Sequence, residues 1–222
     1  MEVSAIVVAG GKSVRANGID KNFFKIEGKY VVEYSLEVFK NIEEISEIIL
    51  VVNDNNYQFA KELERKYGVL LVKGGTVRAE SVKNGVVAAK NDFVIVHDGA
   101  RPFVTKALVK RVIEELSEFP CVIPVVPVKY TIKEVENDLV VKTPNRKKLF
   151  EVQTPEGFRK KDLLDLYDDF SSLDDSVFDE SILFERVGKN VKAIEGDDAN
   201  FKITTAFDLL LVEVLAKRWK QK

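Results

Sequence analysis

The sequence predicts an α/β fold: a mostly parallel, twisted sheet with helices on both faces and a β-hairpin arm projecting from it. Two observations carry that prediction. Short runs rich in Val and Ile alternate with helical patterns from the first residues onward. After Val128 the alternation stops, and two charged segments face each other across a turn.

Taken in order, the runs Val3–Val8, Ile48–Val52, Val69–Val72, Phe93–Val96 and Val122–Val128 are short and β-branched, as strands buried on both faces are. Between them, apolar residues recur at helical spacing. Val32, Leu36 and Phe39 share one face, as do Phe59, Leu63 and Tyr67, then Val82, Val86 and Ala89, then Leu108, Val112 and Leu116. Thr131–Val135 and Leu139–Thr143 are joined by Glu136-Asn137-Asp138, which reads as a hairpin. Its charges exclude a central strand, so an arm over about residues 130–150 is expected, of the kind that clasps a second subunit. Helices resume around Lys161–Phe170 and Ala206–Lys217, with a strand near Val191–Ile194.

Composition narrows the function. With 222 residues, 45% of them hydrophobic, the chain buries a full core, and one domain over residues 1–222 is expected. The net charge of -2 gives no basic field for nucleic acid. No apolar run is long enough for a membrane span, and no signal peptide is evident, so a cytoplasmic setting is expected. One Cys, Cys121, excludes an internal disulfide and a multi-cysteine metal site.

Three polar, Gly-rich loops follow predicted strands. The first runs from Ala9 through Gly10, Gly11 and Arg15 to Asp20-Lys21. Glycines after a strand let backbone N–H groups approach a phosphate, and the cations add charge. The spacing is neither that of a Walker A loop nor that of the dinucleotide fingerprint. A plain strand-to-helix turn with solvated cations is the alternative. The second loop, Gly74-Gly75-Thr76-Val77-Arg78-Ala79-Glu80-Ser81, places Thr76 or Ser81 to cap a following helix or to donate to a ligand. The third, His97-Asp98-Gly99-Ala100-Arg101-Pro102, holds an acid and an arginine at a strand end. They suit a metal–phosphate unit or a substrate hydroxyl, or else form an internal ion pair. His97 is the sole His, and no Gly-x-Ser-x-Gly elbow supports a hydrolase. Strand ends on one edge of a sheet converge on one cleft.

In collinear order these clusters resemble the 2-C-methyl-D-erythritol 4-phosphate cytidylyltransferase family of isoprenoid biosynthesis. Further matching pieces are Pro127-Val128 with Thr131 and Lys133, Asn145-Arg146, Gln153-Thr154-Pro155, Asp179-Glu180, and Asn200 with Lys202 and Thr204. The resemblance implies a Rossmann-like three-layer nucleotidyltransferase fold, CTP as nucleotide, and Mg²⁺ or another divalent cation as cofactor. It implies Arg15, Lys21 and Lys202 as catalytic cations. Ala9, Gly10, Gly11, Gly75, Ser81 and Asp98 would hold the nucleotide. Asp98, Arg101, Thr131, Arg146 and Thr154 would hold a small alcohol phosphate. Metal ligands are not implied. The arm implies a homodimer. Asp20 stands where a proline commonly precedes the catalytic lysine, and Thr76, Tyr130 and Phe178 also depart from the family pattern.

Three rivals remain at this level, one of them a non-catalytic nucleotide-binding or assembly module, against which Arg15, Lys21 and Lys202 together argue. A ribitol 5-phosphate cytidylyltransferase has the same loops. An NAD(P)-dependent oxidoreductase finds an acidic candidate in Asn53-Asp54 but lacks the glycine turn.

Overall fold

The computed structural model describes residues 1–10, 20–169, 176–217 and 219. Gly11 and Arg15 lie outside the described residues. The chain opens with β1 (Val3–Val8), a small hairpin of β2 (Lys25–Ile26) and β3 (Lys29–Tyr30), and α1 (Val31–Lys40). There follow β4 (Ile45–Val52), α2 (Tyr57–Tyr67), β5 (Leu70–Lys73), α3 (Arg78–Ala88), β6 (Phe93–Asp98), α4 (Lys106–Glu115) and β7 (Cys121–Pro127). The arm carries β8 (Glu134–Glu136) and β9 (Leu139–Lys142), then a 3-10 turn at Arg146–Lys148. The remainder is β10 (Phe150–Val152), β11 (Glu156–Arg159), α5 (Lys160–Asp169), α6 (Ser181–Arg186), β12 (Lys192–Glu195) and α7 (Ala206–Ala216).

Among the described residues the main sheet has eight strands, ordered β10-β7-β11-β6-β1-β4-β5, with β12 added to β7. β1 pairs in parallel with both β4 and β6, so Val8, Val51 and Asp98 end on one edge. β10 and β11 run antiparallel to their neighbours. The sequence reading had no strands there, because stretches this short, separated by Pro155, show no periodicity of their own. β4 starts at Ile45 rather than Ile48, its polar entry held by the Ser4 hydroxyl donating to Glu47 at 2.7 Å.

Alternation along β1 divides the core. Val3, Ala5 and Val7 pack with Leu36 and Phe39 of α1, Leu63 of α2 and Leu108 of α4. Ile6 packs on the other side with Val82 and Val86 of α3, Leu163 of α5 and Phe184 of α6. Each fully buried Val, Leu or Ile contributes about 1.5–3 kcal/mol by leaving water. On α2 the buried face is Ala60, Leu63 and Tyr67, not the predicted Phe59, which is 43% exposed. The spacing of 60, 63 and 67 keeps one helical face, and Phe59 instead leans on Phe23 and Tyr30, with ring centroids at 5.9 Å from each.

The arm hairpin turns more tightly than predicted. Glu136 pairs with Leu139, leaving Asn137 and Asp138 as a two-residue loop with φ of 48° and 65°. Asn and Asp tolerate that left-handed backbone, which matches the twist of the flanking strands. Every residue of β8 and β9 is exposed, the apolar Val135, Leu139, Val140 and Val141 included.

Candidate active site

The loops after β1, β5 and β6 meet at the carboxyl edge of the sheet. The Ala9 N–H donates to the Val51 carbonyl at 2.8 Å, and the Gly99 N–H to the Val8 carbonyl at 3.0 Å. Gly10 sits so close to β4 that a Cβ there would lie 3.3 Å from the Val52 carbonyl carbon, and its own carbonyl accepts from Asn53 Nδ2 at 3.2 Å. At the far side of that loop, the Asp20 carboxylate accepts from the Asn22 N–H at 2.8 Å and from Asn22 Nδ2 at 3.0 Å. Asn56 Nδ2 donates to its other oxygen. These bonds anchor the backbone on which the half-buried Lys21 stands.

In the second loop neither Thr76 nor Ser81 caps α3, contrary to expectation. The N-cap is Val77, without a side-chain bond, because the helix begins at Arg78 and Ser81 already lies inside its first turn. Ser81 Oγ instead accepts from the Gly75 N–H at 3.0 Å and donates to the Val77 carbonyl at 3.1 Å. Glu80 accepts from both the N–H and the hydroxyl of Thr76, each at 2.7 Å. A Cβ on Gly75 would fall 2.3 Å from Glu80 Cβ, so this turn requires glycine.

The third loop forms the electrostatic centre. The Asp98 carboxylate, at the end of β6, meets Lys202 Nζ at 2.8 Å, Arg78 Nε at 3.5 Å and Arg101 Nε at 3.6 Å. Burial by itself would raise Asp98, but Arg78, Lys202 and Arg101 together hold it well below the usual carboxylate range. The segment carrying Lys202 is stapled in place. Buried Asn200 donates from Nδ2 to the Thr154 carbonyl at 2.7 Å, and its own carbonyl accepts from Arg101 NH1 at 2.8 Å. The Ile203 N–H donates to the Ala100 carbonyl at 2.9 Å.

Behind Asp98 runs a chain of hydrogen bonds whose donors are fixed by its ends. The Asp98 N–H donates to Thr154 Oγ1 at 3.0 Å, and Arg101 offers only a carbonyl to His97 Nε2, also at 3.0 Å. Nε2 therefore carries the His97 proton, and Nδ1 accepts from the Thr154 hydroxyl at 3.0 Å. Burial pushes His97 down to about 4, against the upward pull of its bonds. The unfolded chain thus takes up this proton first. Stability from His97 is complete above about pH 6.5 and falls by roughly 3 kcal/mol on acidification to about pH 4. Urea unfolding of wild type and His97→Gln across that window is expected to differ in slope by this amount. Parallel profiles would disprove the assignment.

Beneath Arg78 lie two buried carboxyls, Glu180 and Glu156. Arg78 NH1 donates to both oxygens of Glu180, at 2.8 and 3.0 Å. Burial and the neighbouring Glu180 push Glu156 far above the ordinary carboxyl range, and Glu156 Oε2 has no hydrogen-bond partner among the described residues. Burial raises Glu180 as well, but there the two-point grip of Arg78 opposes it, so the charged form is favoured at Glu180 over Glu156. The sequence reading assigned no role to Arg78, Glu156, Glu180 or Asn200. The signal available was the motifs Gly74-Gly75…Arg78 and Asp179-Glu180, charges set against apolar helix faces.

Arg101 and Lys202 line a cavity of about 430 Å³ together with Lys129, Tyr130, Gln153 and Asp208. Thr154, 3% exposed, stands behind it rather than in its wall. Thr131 and Arg146 are exposed on the arm, and Arg146 NH1 donates to the Lys129 carbonyl at 3.0 Å. Arg146 lines a neighbouring groove of about 470 Å³ with Lys147, Val128 and Asp198.

The arrangement suits binding and neutralising phosphate oxygens. It does not suit a protein-held metal cage. Among the described residues no three His, Cys, Asp or Glu side chains gather for a metal ion, and the one carboxylate at the centre is already matched by three cations. No helix among the described residues is long and apolar enough to cross a membrane.

Comparison with known proteins agrees with this geometry. A family model described as 2-C-methyl-D-erythritol 4-phosphate cytidylyltransferase matches residues 3–218. A relative of that description from Caldanaerobacter subterraneus subsp. tengcongensis is 38% identical over 229 residues, covering 98% of this chain and all of its own. Another, from Alkaliphilus metalliredigens, is 39% identical over 95% of this chain and 91% of its own. A crystal structure of 4-diphosphocytidyl-2C-methyl-D-erythritol synthase from Anaerococcus prevotii superposes with a TM-score of 0.87 at 32% identity, covering 98% of this chain and 96% of that one. The 2-C-methyl-D-erythritol 4-phosphate cytidylyltransferase of Thermus thermophilus does so with 0.82 at 32% identity, over 98% of this chain and 100% of that one.

Proposed function

This chain belongs to the 2-C-methyl-D-erythritol 4-phosphate cytidylyltransferase family, and on that premise we propose how its residues perform the transfer. It is a cytidylyltransferase of isoprenoid biosynthesis, moving a cytidylyl group from CTP to 2-C-methyl-D-erythritol 4-phosphate and releasing pyrophosphate. The observation that carries the reading is the convergence of Arg78, Arg101 and Lys202 on buried Asp98, with Arg101 and Lys202 lining the cavity.

An oxygen of the substrate phosphate attacks the α-phosphorus of CTP. A new P–O bond forms as the bond to the β-phosphate breaks, and pyrophosphate leaves with that electron pair. The attacking group is already an anion, so no protein nucleophile or base is needed. The protein aligns the two phosphates and neutralises the charge they share. Lys21 and Arg15 serve as cations for the triphosphate, and Lys202, held by Asp98, meets the incoming phosphate. The glycine loops at Ala9, Gly10, Gly11 and Gly75, with Ser81 and Asp98, hold the nucleotide. Arg101, with Thr154 behind it, orients the alcohol phosphate.

A divalent cation, Mg²⁺ by preference, would be held chiefly by the phosphates of CTP and would supply further neutralisation of their charge. The active species is a homodimer in which Thr131 and Arg146 of one arm complete the cavity of the other copy. Support comes from the exposed arm and from Arg146 standing outside its own chain's cavity. Sedimentation should then give twice the mass of the chain. A single domain acting in the cytoplasm completes the picture.

The deciding experiment offers 2-C-methyl-D-erythritol 4-phosphate and ribitol 5-phosphate separately with CTP and Mg²⁺ and follows pyrophosphate release. Faster turnover with the first supports the reading. A clear preference for the pentitol phosphate would replace it with the sister activity.

A further inference from the structure

Arg78 and Glu180 do not line the 430 Å³ cavity, yet they join the interior to the catalytic cations. We propose that they are positioning residues: Glu180 fixes Arg78, Arg78 fixes Asp98, and Asp98 presents Lys202 to the reacting phosphates. The inference rests on the cytidylyl-transfer reading and adds to it a specific path by which the core sets Lys202.

Geometry carries it. Arg78 NH1 grips both Glu180 oxygens, at 2.8 and 3.0 Å, while its Nε faces Asp98 Oδ1 at 3.5 Å. The other Asp98 oxygen faces Lys202 Nζ at 2.8 Å. Arg78 thus faces one oxygen while Lys202, with Arg101 Nε at 3.6 Å, faces the other, and rotation of the carboxylate would disturb both sides. Side-chain exposure is 0% at Glu180, 26% at Arg78, 10% at Asp98 and 35% at Lys202, so the anchoring end is inside and the working end meets solvent.

A planar guanidinium can serve two carboxylates at once in a way that an ammonium cannot. Buried ion pairs are often replaceable by apolar groups without loss of stability, so the effect to look for is on geometry and rate.

The test uses Arg78→Lys, which keeps the charge and loses the bridge. Turnover should fall roughly 10–100-fold from misplacement of Lys202, with KM for CTP little changed. Arg78→Lys combined with Lys202→Ala should be no slower than Lys202→Ala alone, because both changes remove one interaction. Multiplying losses, or wild-type turnover in Arg78→Lys, would overturn the proposal.

Crystal structures of wild type and Arg78→Lys read the same point whatever substrate the enzyme takes. Lys202 should leave hydrogen-bonding distance of Asp98 only in the variant. If it stays, the positioning chain is refuted even where the cytidylyl-transfer reading holds. If Arg78→Lys does not fold, Glu180→Gln, which weakens the grip on Arg78, is put through the same assays with the same expectations.

Discussion

Lys21→Ala is expected to lower turnover by roughly 10²–10³ while CTP binding largely persists, the loss typical of one donor aimed at developing charge. The reasoning is local. Lys21 directly follows Asp20, whose carboxylate is held by Asn22 and Asn56, so the backbone that presents the lysine is anchored from both α2 and its own turn. An anchored cation loses little on reaching the transition state, and its removal falls on kcat rather than on nucleotide affinity. Single-turnover rates with calorimetric CTP titration separate the two. A variant with unchanged rate would remove Lys21 from the mechanism. A variant that lost CTP affinity instead would make it a binding residue.

Asp98→Asn is expected to cost about 3–5 kcal/mol of stability, because it leaves the buried Arg101 and the half-buried Lys202 without their counter-charge. Arg78 retains Glu180, but Arg101 and Lys202 lose the carboxylate they face. The same reasoning gives a second readout. Inorganic phosphate should stabilise the variant more than wild type, since an anion then has unpaired cations to occupy. Urea unfolding with and without phosphate measures both. A loss below about 1 kcal/mol, the range of a solvated surface pair, would show that the three cations are not held by Asp98.

Much of this was legible in the chain. β1 appears over the very residues predicted, Val3–Val8, because a run of Val and Ile has one low-energy use in an alternating β and α pattern. The arm was legible from the charges its segments carry, and its turn from Glu136-Asn137-Asp138, of which Asn137 and Asp138 form the loop. Phe59 and the strands β10 and β11 were not. Which side of a helix faces the sheet depends on where the helix begins, and strands of three or four residues take their identity from their neighbours.

At the site, the glycine loops and their cations could be found from spacing, since a phosphate-binding turn needs its glycines and charges within a few residues. The ordering of those charges could not. Glu180 lies 102 residues from Arg78, and Asp98 and Lys202 meet across more than a hundred positions. The chain's local chemistry was therefore enough to specify the parallel sheet, the loops at its carboxyl edge and the projecting arm. Folding decided which cations share Asp98, which buried carboxyl Arg78 grips and which tautomer His97 adopts. Those are matters of burial and contact over long sequence separations, and a charge acquires its value only once water has been excluded around it.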